Sequence, residues 1–148
     1  MFDERQRQLR DRAFRLGLGL LIGGLVVVFG AGLVLGHSLF QRQFDLGAML
    51  VLLPATVVNC DLIWHAAYLK PNRKHTILFW LGLAGLLNLV VLAQRLWWEW
   101  QGQYGRPLWI HGQLTSAMTA LVAPLCLGAI GLVALAQWWR ERRLNRPV

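Results

Sequence analysis

Asp61 and His65 stand four residues apart inside a long apolar segment, the spacing that stacks two side chains on one helix face. A carboxyl and an imidazole so placed can exchange a proton, hold a cation or bind a polar headgroup. A carboxylate at the centre of a membrane-spanning helix costs about 2.5–3.5 kcal/mol on insertion scales, so it needs a partner or a task. Asn59 lies close by at a different angle, and Asn88 belongs to the next apolar segment near its mid-depth. Together Asp61, His65, Asn59 and Asn88 form a candidate intramembrane polar site. The competing account is structural: an interhelical hydrogen-bond network in which Asp61 is protonated or paired with His65, Arg15 or Arg73.

A second group of reactive or sticky side chains gathers between the last two apolar segments. Trp97, Trp98, Trp100, Tyr104, Trp109 and His111 lie within fifteen positions, with Glu99 among them. The rings could stack on a sugar, a quinone or a partner protein, and Glu99 with His111 could serve acid–base chemistry. Their spacing specifies no reaction, and indole rings commonly anchor a chain at a membrane–water interface. Imidazoles also hold b-type haem between membrane helices. His37 and His111 fall toward one interface and His65 and His75 toward the other, a poor arrangement for that purpose. The reading is therefore no bound cofactor and no metal, with haem b or quinone as the alternatives. No G-x-S-x-G, H-E-x-x-H, phosphate-binding loop or paired CxxC motif is present, which argues against an enzyme. Cys60 and Cys126 both fall inside apolar segments and read as buried small side chains.

The elements that position these residues are four apolar segments, at 14–36, 46–69, 76–96 and 114–139. Each reaches or exceeds the ~20 residues a helix needs to cross a ~30 Å hydrocarbon core. They leave no room in 148 residues for a separate soluble domain. The predicted fold is all-α: a polytopic membrane protein whose single domain, 1–148, is an antiparallel bundle of four transmembrane helices. Short loops predict that consecutive spans pack as neighbours.

A formal charge of +8 would suggest nucleic acid if the chain were soluble, but its distribution points to topology instead. Arg5, Arg7, Arg10, Arg12 and Arg15 precede the first span, and Lys70, Arg73 and Lys74 fill the middle connection. Arg140, Arg142, Arg143 and Arg146 follow the last span. Only Arg42, Arg95 and Arg106 lie toward the other side. The positive-inside rule then places both N- and C-termini in the cytoplasm, in a plasma (inner) membrane. The arginines would meet anionic headgroups, so the expected partners are membrane lipids and no nucleic acid. The apolar run at 14–36 is too long for a signal peptide and reads as an uncleaved span, entered by an Arg-rich helix.

Seven of the fifteen glycines fall in the first span, where they allow a neighbouring backbone to come close. Gly19, Gly23 and Gly30 share one face of it. Gly128 and Gly131 continue a small-residue ridge in the fourth span with Ala117, Ala120 and Pro124. These are candidate helix-packing surfaces, within the chain or toward other integral membrane proteins or a homo-oligomer. Three functions fit: a non-catalytic accessory or assembly subunit of a larger membrane complex, a small homo-oligomeric transporter or lipid flippase built on Asp61 and His65, and a quinone- or haem-linked redox subunit. The first is expected, because glycine faces and minimal loops accompany an absence of catalytic motifs.

Overall fold

The structure is a computed structural model and describes residues 4–65, 74–102 and 107–144. It is almost wholly helical, and four helices are long and apolar enough to cross a membrane. These are α1 (Glu4–Leu35), α2 (Gln43–Trp64), α3 (Lys74–Trp100) and α4 (Ser116–Leu144). This is a multi-pass membrane protein. Two-residue strands β1 (Trp109–Ile110) and β2 (Gln113–Leu114) form the one departure from an all-α fold among the described residues.

The Arg-rich N-terminal stretch continues into the first span without a break, so α1 is 32 residues long. At 1.5 Å per residue that is ~48 Å, well beyond the hydrocarbon thickness. Its last turn ends at Gly36, whose φ of +70° closes the helix in the left-handed conformation that glycine adopts without penalty. The second helix begins at Gln43, three residues before the expected segment 46–69, and ends at Trp64; residues 66–69 of that segment lie outside the described residues. Gln43, Phe44 and Asp45 belong to its first turn, and an acidic residue there suits the positive end of a helix dipole. At the other end the His65 backbone N–H bonds to the Asp61 carbonyl at 3.0 Å and the helix stops.

Neighbours in space follow chain order only in part. α1 packs on α2, α3 packs on α4, and the main later neighbour of α2 is α4. The α1–α2 contact joins buried Ala13 and Leu62 with Leu9 and Val58 around them. The α3–α4 contact is the most extensive. Leu78, Gly82, Gly85, Leu89 and Leu92 recur at alternating steps of four and three, which aligns them on one face of α3. Against them lie Ala134, Leu135, Gly131 and Gly128. Ile63 joins Leu78 and Ala134 in the same buried cluster, bringing the end of α2 to the start of α3.

Candidate functional site

At the α2 C-terminus, Asp61 and His65 do meet. His65 Nδ1 lies 3.2 Å from Asp61 Oδ1 and 2.9 Å from the Asp61 carbonyl oxygen. Because α2 ends at Trp64, this pair occupies the helix's final turn. Both side chains are partly exposed.

Asn59 and Asn88 are not drawn to that pair. Asn59 Nδ2 donates to the Ala55 carbonyl at 2.7 Å, and Asn88 Nδ2 to the Ala84 carbonyl at 2.9 Å. Each amide is thus satisfied by its own helix, one turn back. Ile63 is level with Leu78, and Asn88 stands ten residues further along α3, or about 15 Å. The pairing of Asp61 with Arg73 falls outside the described residues. Among those described, no three His, Cys, Asp or Glu side chains gather closely enough to hold a metal ion.

The same end of the molecule carries a second polar cluster that the sequence did not suggest. Gln137 is 1% exposed and donates through Nε2 to Glu141 Oε1 at 3.2 Å, and Glu141 Oε2 lies 3.9 Å from His75 Nδ1. Around it the arginines of α4 lie over indole rings. Arg140 stands 5.2 Å from the Trp64 ring, Arg142 4.2 Å from Trp138 and Arg143 4.7 Å from Trp139. Stacking of guanidinium on indole keeps the charge near the ring plane at the level where both membrane anchors work. For Arg142 and Arg143 the available signal was a Trp four positions earlier; the Arg140–Trp64 contact has no local signature.

At the opposite end, three residues of the expected aromatic patch are helical. Trp97, Trp98 and Trp100 lie in the last turns of α3, with Trp97 and Trp100 edge to face at 5.6 Å. Trp100 is 81% exposed, and Trp109 in β1 is exposed too. Tyr104 lies outside the described residues. His111 and Gly112 turn the β1–β2 hairpin, with φ of +48° and +78°. Positive φ at both central residues is the geometry of the turn that best matches strand twist. A β-carbon on Gly112 would stand 3.2 Å from the His37 ring, so the hairpin presses on the first loop.

That contact is part of a clasp. Gln41 N–H donates to the Leu114 carbonyl at 3.0 Å, and Leu114 N–H to the Leu39 carbonyl at 2.7 Å, pairing Phe40 with Leu114 in parallel. Gln113 Nε2 adds a bond to Ser38 Oγ at 3.1 Å. Nearby, Arg95 Nη1 donates to the Ala120 carbonyl at 3.2 Å, while its Nε lies 3.4 Å from Glu99. Pro124 has no N–H, so the Ala120 carbonyl lacks its usual partner one turn on. Arg95 supplies the missing donor from α3.

The glycines divide sharply. A β-carbon on Gly82 or Gly128 would run into Leu135 or Leu89, and Gly85 and Gly131 meet backbone to backbone. Gly128 and Gly131 thus pack within the chain, and Gly82 and Gly85 are the partners that sequence reasoning missed. Their matching G-x-x-G spacing in α3 and α4 was legible. In α1 the glycines in use are Gly17, against Val58, and Gly24, 3.0 Å from Leu50. Gly19, Gly23 and Gly30 have nothing within 4 Å of where a β-carbon would be. They lie about 130° round the helix from the packed pair.

No family model, curated protein or solved structure matches the chain.

Proposed function

We propose that this protein is a non-catalytic accessory or assembly subunit of a larger complex in the plasma (inner) membrane. Its four spans form an antiparallel bundle with both termini cytoplasmic. The opposed order of the α3–α4 contacts supports the packing: Gly82 meets Leu135, Gly85 meets Gly131 and Leu89 meets Gly128. The charge asymmetry of the sequence supports the orientation.

The observation that carries the subunit reading is the unoccupied glycine face of α1. None of the most apolar eighteen-residue stretch of α1 is buried inside the chain. Lipid tails are as apolar as any helix, so exposed Leu33 or Val34 needs no explanation. Glycine at Gly19, Gly23 and Gly30 is different, because a flat helix surface gains nothing against fluid lipid and much against another helix. Small loops and exposed indoles at both ends suit a chain that fits among others.

The test is affinity purification from native membranes in mild detergent, with mass spectrometry of everything retained stoichiometrically. Wild type should retain a reproducible set of other membrane proteins, and a Gly19→Leu/Gly23→Leu variant should lose them while folding normally. Retention of further copies of this chain alone would replace the reading with a homo-oligomer. Orientation is checked by labelling cysteines introduced at 42–45 and 70–75, in a background of Cys60→Ala and Cys126→Ala. Labelling of both sites from one side would overturn it.

A further inference from the structure

The last two turns of α4 sort their charges by sign. Glu141, the one carboxylate of that helix, turns inward: its side chain is 13% exposed, accepts from the Gln137 amide and faces His75 of α3. Arg140, Arg142 and Arg143 are all exposed, and among the described residues none of them pairs with a carboxylate. Each lies on an indole instead, which offers a ring face and cancels no charge. Asp61, in the last turn of α2, is engaged with His65 at 3.2 Å. This end of the molecule therefore presents positive charge to its surroundings and keeps its acids occupied.

The three arginines do not stand together. Arg140 and Arg143 are one turn apart and neighbours on one face, while Arg142 lies about 160° round the helix from Arg140. Trp138, beneath Arg142, packs on Phe79 of α3 at 5.8 Å, so that arginine belongs to the α3 side. Arg140 reaches the other way, over Trp64 at the end of α2, and Arg143 lies over Trp139 one turn before it. The seam between α2 and α4 thus ends in two guanidiniums flanked by two exposed indoles, one from each helix.

We propose that this seam binds one anionic phospholipid, its phosphate held by Arg140 and Arg143 and its chains on the apolar surface of α2 and α4. The guanidinium fork matches the oxygens of a phosphate, and indoles sit by preference at the depth of the headgroups. The charge selects among lipids. A zwitterionic headgroup brings an ammonium up to guanidiniums that no carboxylate neutralises, and so loses much of what its phosphate gains. An uncharged headgroup on the same phosphate pays no such penalty. A diffuse attraction to an anionic membrane surface would count all three arginines alike. The seam does not, because only Arg140 and Arg143 share its face.

The experiment uses the purified full chain alone, so it stands or falls apart from the subunit reading. Native mass spectrometry is run after equilibration with equimolar phosphatidylglycerol and phosphatidylcholine of matched chains. Wild type should retain one phosphatidylglycerol, favoured about tenfold or more, since each arginine at a membrane surface contributes about fivefold. Arg140→Gln and Arg143→Gln should each lower that preference about fivefold, and Arg142→Gln by less than about twofold. Trp64→Leu, which removes the ring under Arg140, should lower it too, and Trp64→Phe should keep it. All these positions are exposed near helix ends, where such changes leave the fold intact. Equal retention of the two lipids by wild type overturns the proposal. So does a loss in Arg142→Gln equal to that in Arg140→Gln, the mark of diffuse charge. Release of the lipid by excess glycerol phosphate would assign the arginines to a soluble phosphate and overturn it as well.

Discussion

Replacing Gly85 by alanine tests the α3–α4 contact at its tightest point. The new β-carbon would overlap the Gly131 Cα and stand 3.0 Å from its nitrogen and 3.1 Å from the Leu127 carbonyl oxygen. All three are backbone atoms, so no rotamer change relieves them. Carbon contacts settle at about 3.5–4.0 Å, and the helices must therefore part by about 1 Å along the crossing. Overpacking of this kind costs about 1–3 kcal/mol, and a backbone clash belongs near the top of that range. Alanine's helix preference over glycine offsets up to about 1 kcal/mol. The net loss is about 2 kcal/mol, a factor of about 30 in the folding equilibrium. Gly19→Ala is the control, since nothing lies within 4 Å and its stability should hold or rise by up to about 1 kcal/mol. Gly128→Ala should fall between, because it meets only the end of the Leu89 side chain. Unfolding by SDS titration from mixed micelles, followed by tryptophan fluorescence, reads all three. A Gly85→Ala protein as stable as Gly19→Ala would refute the close contact and the magnitude built on it.

Three further outcomes follow from the loops and helix ends. Arg95→Met should destabilise the protein by about 1–2 kcal/mol, and by under about 0.5 kcal/mol in a Pro124→Ala background where residue 124 can bond Ala120 itself; an additive double-mutant cycle would contradict this. Gly112→Ala places a side chain at φ +78° against His37. Strain of about 1–3 kcal/mol should loosen the clasp, seen as faster hydrogen exchange at Gln41 and Leu114 with the helices unaffected. Asp61→Asn removes a partly exposed i,i+4 pair and should change stability by less than about 0.5 kcal/mol. If it also leaves every assembly and transport phenotype intact, Asp61 has no functional role.

The four spans were legible because an apolar run of twenty residues has few physical alternatives in any fold. Helix ends were harder. Asp45 falls just before the apolar run at 46–69, and its value at a helix start depends on which backbone N–H groups are left free. Nothing before Pro71 announces that α2 stops at Trp64. Asp61 and His65 stand on one face and meet because i,i+4 geometry is local. Asn88 was grouped with them by depth alone, and each amide proved able to satisfy itself on its own helix. The placing of α2 beside α4 has no local signature, because it rests on hydrogen bonds between distant loops. The His111–Gly112 turn was hidden because histidine seldom adopts positive φ.

The clasp also dictates an order of events during synthesis. Leu114 follows Phe40 by 74 positions, so at about 5–20 residues per second its strand is made roughly 4–15 s later. For that interval α2 has α1 beside it and no α4, and the first turn of α2, where Asp45 is buried in the finished chain, has yet to receive the clasp. A nascent chain stalled before residue 114 therefore carries a polar helix turn that the finished protein buries. Membrane quality control that recognises exposed polar groups would read that turn as the mark of an incomplete chain.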